Sequence, residues 1–311
     1  MSQTESLADN AAWPGATPAL SVLIPFKGDD PRRLLQALGD GAGQAAGQVE
    51  IVVLDDGTAD PELTANVTET LAGLCLPARL VTLASNEGRA KGRNRLVAHA
   101  RGGWFLFLDS DMLPDAPDFL AVWLDETRQD TAVAFGGFSL KQAPPLPEHA
   151  LHRAMATHSD CLDAAERRHA PEKHVFTSNL LVRRDVFAAE AFDEGFAGWG
   201  WEDVEWGMRV ARRWPIRHID NPATHLGLDT ARTMAAKYEQ SAANFARVVA
   251  AHPEVVAGYP SYRAARLLKR APLRGLWRPA LKAFALAEAA PVAARAFAMR
   301  LYRAALYAEA V

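Results

Sequence analysis

The chain has 311 residues, 49% hydrophobic and 23% charged, with 34 Lys and Arg against 37 Asp and Glu for a net charge of −3. That composition is globular, and it excludes a mostly disordered chain, a collagen-like fibre and a polytopic membrane protein. Without an overall basic field, nucleic acid is not an expected partner. Cys75 and Cys161 are the only cysteines and lack a metal-ligand spacing, which fits a reducing compartment and excludes thiolate-held zinc.

Taken in chain order, residues 1–18 are acidic and polar, without a secretory pattern, and read as a disordered tail of a cytoplasmic protein. Short β-rich runs then alternate with helical patterns: strands at 21–25, 50–54, 79–83 and 104–108, helices at 31–38, 64–74, 89–100 and 119–128. This alternation predicts an α/β chain, a Rossmann-like, mostly parallel sheet flanked by helices. A strand at 132–135, a helix through 149–168, a strand and turn at 177–184, a last strand at 216–220 and a helix over 230–251 follow. Residues 262–311 hold ten Lys or Arg and two Glu, about +8, against 24 basic and 35 acidic residues, −11, in 1–261. The charge split marks a basic helical C-terminal extension, assigned as 230–311, after a catalytic unit at 19–229.

In an open parallel sheet the ligand site lies beyond the carboxyl ends of the strands, and here those ends are acidic. The second strand runs into Asp55-Asp56-Gly57 and the fourth into Asp109-Ser110-Asp111, with Asn86-Glu87-Gly88-Arg89-Ala90-Lys91-Gly92-Arg93-Asn94 opening the helix between them. Two Asp separated by one residue at a strand end can face a hard divalent cation that carries a diphosphate; the same pair can also cap a turn or the next helix. Neither a P-loop nor G-x-G-x-x-G follows the first strand, which ends in Pro25-Phe26-Lys27-Gly28, so NTPase and dinucleotide oxidoreductase readings fit poorly.

The runs SVLIPFK, VVLDDGTAD, SNEGRAKGRN and FLFLDSD, in this order over residues 20–115, resemble the nucleotide-sugar half of GT-A glycosyltransferases of the family 2 type. The resemblance implies a donor site of Pro25, Asp55, Asp56, Arg93 and Asp109 for a UDP-sugar. It also implies a metal, Mn²⁺ or Mg²⁺, held by Asp111 with help from Asp109. Residues 19–115 then form the nucleotide-sugar half and 116–229 the acceptor half.

In Phe196-Ala-Gly-Trp-Gly-Trp-Glu-Asp-Val-Glu-Trp-Gly-Met-Arg209, aromatic rings surround carboxylates, as suits stacking on a sugar face while its hydroxyls are bound. The alternative is a helix N-terminus in which Glu202 and Asp203 complement the dipole, and both readings can hold together. The segment resembles the acceptor segment of β-1,4-galactosyltransferases and chondroitin-type polymerases. That implies Asp203 as the catalytic base of an inverting transfer and Trp199, Gly200, Trp201 and Glu202 as acceptor contacts. Asn179, in a segment similar to the family's stretch before this motif, is a further sugar-binding candidate, with a structural turn as its alternative. His225 falls where galactosyltransferase-like relatives complete the metal shell, and an imidazole beside carboxylates suits Mn²⁺.

In the extension, Arg263, Arg266, Lys269, Arg270 and Arg274 share one helical arc opposite Ala264, Leu267 and Leu268. This fits either an anionic inner membrane surface, with a saccharide or lipid-linked saccharide as acceptor, or packing on the acidic catalytic unit. The expected activity is metal-dependent, inverting transfer of a hexose or N-acetylhexosamine to a saccharide or glycolipid hydroxyl. The competing readings are a sugar-nucleotide pyrophosphorylase, which needs a Gly-rich loop this chain lacks, and a non-catalytic carbohydrate-binding or scaffold subunit of a polysaccharide assembly.

Overall fold

The computed structural model describes residues 5–311, within which the side chains of Gln44 and Arg274 lie outside the description. Eight strands form one sheet: β1 (Glu5–Asp9), β2 (Leu20–Phe26), β3 (Val49–Asp55), β4 (Ala78–Leu83), β5 (Trp104–Leu108), β7 (Val133–Phe135), β9 (Asn179–Arg183) and β10 (Ile216–His218). Their order across the sheet is β1-β4-β3-β2-β5-β9-β7-β10. A second, three-stranded sheet orders β6 (Met112–Pro114), β11 (Ala223–His225) and β8 (Phe138–Ser139) as β6-β11-β8.

The central strands are buried on both faces, as their near-continuous apolar runs require. Val22, Ile24, Ile51 and Val53 pack on one side with the helices at Arg32–Asp40, Pro61–Ala72 and Phe119–Arg128. Leu23, Val52 and Leu54 pack on the other with Arg89–His99, Arg184–Ala189 and Glu202–Val210. Successive residues thus feed opposite layers, the period-two consequence of strand geometry. The order turns about β2: β3 and β4 extend to one side and β5 to the other, all parallel. The ends of β2 and β5 therefore flank a crevice of the kind in which such sheets bind ligands.

Two expectations are corrected. Residues 5–18 are not a disordered tail: β1 pairs antiparallel with β4, Trp13 is buried under the Arg101 guanidinium at 3.7 Å, and Asn10 bonds the carbonyls of Leu71 and Leu76. Residues 1–4 of that assignment lie outside the described residues. The mostly parallel sheet is as expected, with β9 inserted antiparallel between β5 and β7. The helix expected over 149–168 breaks into Ala150–Ala156 and Ala164–Arg167, the second opened by a reciprocal Asp163–Glu166 capping box.

The extension does not stand apart. Helices Pro260–Lys269, Arg274–Leu286 and Val292–Tyr307 share a core with Ala231–Ala251 and Ala150–Ala156, centred on Phe245, Met299, Tyr302 and Tyr307. Among the described residues no helix is long and apolar enough to cross a membrane.

Candidate active site

A cleft of about 990 Å³ opens at the carboxyl ends of β2, β3 and β5 and runs to the C-terminal helices. One wall holds Pro25, Asp56, Arg89, Arg93, Asp109 and Asp111; the other holds Trp199, Gly200, Trp201, Glu202 and Asp203. The structure therefore gathers most of the sequence-predicted site in one place.

Asp111 and His225 meet because the small sheet joins them. The chain leaves β5 through Asp109-Ser110-Asp111 into β6, and β6 pairs antiparallel with β11 so that His225 faces Met112. The His225 Nε2 lies 3.2 Å from Asp111 Oδ2. Burial alone would push the His225 pKa down, but the hydrogen bond and charge of Asp111 outweigh it and hold it above the usual imidazole value. Burial likewise opposes the Asp111 charge, yet His225 keeps its pKa below the ordinary carboxylate value. A carboxylate and an imidazole this close could serve as two ligands of a divalent cation. Among the described residues, no three His, Cys, Asp or Glu side chains converge to hold one.

Gly227 seats this pair, and no sequence signal marked it. A Cβ at 227 would occupy the position of the Asp111 carboxylate. Gly227→Ala is expected to fold, because a side-chain terminus can swing aside. It should turn Asp111 away from His225 and weaken any nucleotide-sugar binding that depends on a divalent cation about tenfold or more, as read by calorimetry.

Arg93, expected at the donor, is held inside the wall of the cleft, and Arg89 stands in the open. Arg93 is 1% exposed and donates to Asp109 at 2.7 Å, with Glu202 at 3.5 Å, so it ties the two walls together and is already neutralised. Arg89, one turn earlier, is exposed and lines the cleft amid the charges of Asp109, Glu202, Asp203 and Asp111, a cation placed beside that acidic rim. Asp109, held by Arg93, is correspondingly less available to a metal than Asp111.

Asp55 and Asn179 do not line the cleft, and for Asn179 the structural alternative holds. The Asp55 carboxylate accepts from the Thr58 amide at 2.9 Å and the Thr64 hydroxyl at 2.7 Å, closing the turn after β3 away from the cleft. Asn179 is fully buried and donates to the carbonyls of Gly137 and Asn221, both at 2.9 Å. Asp56 does reach the cleft, while accepting from Asn86 Nδ2 and the amides of Glu87 and Gly88. Burial raises its pKa despite those bonds.

The Gly-Trp-Gly-Trp run is held in unusual backbone. Gly198, Gly200 and the non-glycine Trp201 all have left-handed φ, +73°, +88° and +79°. Strain at Trp201 persists because the surroundings fix it: its indole packs 4.8 Å from the Phe245 ring and donates to the Tyr307 hydroxyl at 3.0 Å. That geometry starts the helix Glu202–Val210 at the cleft and presents Asp203 there. Burial, then the charge of Glu202, raises the Asp203 pKa from 3.8 to about 7, against the opposing pull of Arg93. A carboxyl poised near neutrality is suited to taking a proton. The last helix, expected to lie outside the catalytic unit, supplies Arg300, Arg303 and Tyr307 to the same cleft.

The glycosyl transferase family 2 sequence family matches residues 21–189. The chain is 24% identical over 237 residues to the uncharacterized glycosyltransferase YfnE of Bacillus subtilis, covering 61% of this chain and 59% of that one. It is 31% identical over 99 residues to an N-acetylglucosaminyltransferase of Bradyrhizobium sp., covering 32% of this chain and 64% of the relative. The chain thus spans less than two thirds of the length of either relative. Among solved structures, a mannosyltransferase from Pyrobaculum calidifontis in complex with GDP-Man and Mn²⁺ aligns with a TM-score of 0.57 at 17% identity, over 96% of this chain and 88% of that one. S. aureus TarS 1–349 in complex with UDP-GlcNAc aligns at 0.51 and 17% identity, over 91% and 89%. With a matched region longer than half the chain and the sheet and cleft described above, this protein belongs to glycosyl transferase family 2 and has the GT-A fold.

Proposed function

We propose that this protein is a metal-dependent, inverting glycosyltransferase. It moves a hexose or N-acetylhexosamine from a UDP-sugar to a hydroxyl of a saccharide or glycolipid, in surface polysaccharide or glycolipid synthesis. The observation that carries this reading is that one cleft holds both a carboxyl poised near neutrality, Asp203, and the Asp111–His225 pair. Relatives named as N-acetylglucosaminyltransferases and a neighbour holding UDP-GlcNAc support the donor class. The GDP-Man and Mn²⁺ of another neighbour support a divalent metal.

In this reading Asp203 accepts the acceptor hydroxyl proton as that oxygen bonds to the anomeric carbon. The bond from that carbon to the diphosphate oxygen breaks on the opposite face, so the configuration inverts. Asp111 and His225 would hold Mn²⁺ or Mg²⁺, which when bound neutralises charge on the departing diphosphate. Arg89 faces the same charge from the protein side. Trp199 and Trp201 supply apolar faces for the acceptor sugar.

The test is binding of a panel of UDP-, GDP- and TDP-sugars with and without Mn²⁺. Metal-dependent thermal stabilisation by a UDP-sugar supports the assignment. Absence of binding under every condition favours the scaffold reading instead.

A membrane contact belongs to the same reading. Leu267, Leu273 and Leu276 are 70–72% exposed around the turn between two helices, beside Arg263, Arg266, Lys269 and Arg270. Exposed leucines amid cations suit an anionic lipid interface, each inserted Leu contributing about 1.5–3 kcal/mol. Cosedimentation is expected with phosphatidylglycerol-containing vesicles and not with phosphatidylcholine alone, and Leu267→Gln with Leu276→Gln should abolish it. If wild type ignores both vesicles, these helices do not dock on a membrane.

A further inference from the structure

We infer that the acceptor side of the cleft is built for an anionic group, a phosphate or carboxylate carried by the acceptor saccharide, seated by Arg303 and Arg300 of the last helix. The inference rests on the glycosyl-transfer reading above and narrows its acceptor.

Arg300, Arg303 and Tyr307 recur three and four residues apart on the helix Val292–Tyr307, so one face turns all three into the cleft. They adjoin the segment that carries Asp203. The Arg303 guanidinium lies 5.2 Å over the Tyr238 ring, the Tyr238 ring is 6.0 Å from Trp199, and Trp201 donates to Tyr307.

Several arginines of the protein meet carboxylates, Arg79 with Asp9, Arg95 with Glu87, Arg101 with Glu50 and Arg209 with Glu190, while Arg153 and Arg184 donate to backbone carbonyls. In the cleft, Lys237 meets Asp229 at 2.6 Å. Among the described residues neither Arg300 nor Arg303 forms such a pair, and neither does Lys173, another cleft cation, whose ammonium stands 5.6 Å from the Tyr259 ring. Asp160, a carboxyl whose charge acts on Arg303, forms no ion pair with it among the described residues.

A guanidinium drawn away from water without a counter-ion is costly, and sugar hydroxyls offset that cost poorly. A phosphate or carboxylate offsets it well, because two of its oxygens match the guanidinium fork. Arg303 lies on the Trp199–Tyr238 side of the cleft, the side the transfer reading gives to the acceptor, so the anion is assigned to the acceptor rather than to the donor diphosphate.

The test is calorimetric titration of the whole protein, saturated with UDP and Mn²⁺, with pairs of disaccharides that differ only in a phosphate or a uronic carboxylate. The charged member is expected to bind at least about tenfold more tightly than its neutral counterpart. The advantage should shrink as salt rises, vanish in Arg303→Gln and fall in Arg300→Gln, with UDP-sugar affinity unchanged in both. An advantage for phosphate alone, or for carboxylate alone, names the source. Arg300 is exposed, so its variant keeps the test valid if Arg303→Gln folds poorly. Intact donor binding with no preference for any charged member, or a preference that survives both substitutions, overturns the inference. A wild type that binds no nucleotide-sugar overturns the transfer reading itself, and this inference with it.

Discussion

Asp203→Asn is expected to lower the transfer rate by about 10²–10⁴-fold while leaving UDP-sugar affinity unchanged, because the amide keeps the shape and removes the proton acceptor. In wild type the rate should rise with pH through about 7, as Asp203 loses its proton, and level off above. The residual rate of the variant should not follow that curve.

The same residue gives a stability signature of opposite sign. Burial and Glu202 raise the folded-state pKa of Asp203 from 3.8 to about 7, so the folded protein binds this proton more tightly than the unfolded chain does. Its favourable contribution is complete below pH 3.8 and is lost as pH rises through 7. At pH 8 the Asn variant, which carries no buried charge, is expected to be more stable than wild type by about 1–2 kcal/mol after solvent screening, with the difference vanishing near pH 3. Denaturation at the two pH values measures this. A variant that is inactive and less stable at pH 8 would mean that Asp203 is structural, and a fully functional one would favour the scaffold reading.

Asp111→Ala is expected to remove the metal dependence of nucleotide-sugar binding. In wild type, a UDP-sugar at a hundredfold excess over its Kd, with Mn²⁺, should stabilise the fold by about 2.7 kcal/mol. In the variant that increment should disappear, and Mn²⁺ should no longer shift the melting curve in the presence of UDP-sugar. The fold itself should tolerate the change, because Asp111 lies at the cleft rim with 30% of its side chain exposed, and His225 can go neutral when its partner is removed. Persistent Mn²⁺-dependent stabilisation in Asp111→Ala would place the metal elsewhere.

The sequence by itself determined the α/β layering, the acidic strand end at Asp109-Ser110-Asp111 and the carboxylate-bearing helix start at Glu202-Asp203. Each is written in a local pattern: apolar period along a strand, polar residues at its end, acids in a first turn. Only the tertiary structure decided which member of each pair faces the cleft. Asp55 turns to Thr58 and Thr64 while its neighbour Asp56 reaches the cleft, because adjacent residues at a strand end point to opposite sides. Arg89 opens toward the cleft and Arg93 sinks into the Asp109–Glu202 contact, although both lie on one side of the same helix. The Asn179 Nδ2 is taken up by the carbonyls of Gly137 and Asn221, which two separate loops bring to it.

The remaining features depend on contacts between residues far apart in the chain, which no local period encodes. The β6–β11 pairing sets His225 beside Asp111, and Gly227 leaves room for that carboxylate. The Tyr307 hydroxyl holds Trp201 across 106 residues, which makes the basic extension a wall of the cleft. Residues 5–9 become an edge strand because β4 offers unpaired backbone that their own polar sequence does not announce.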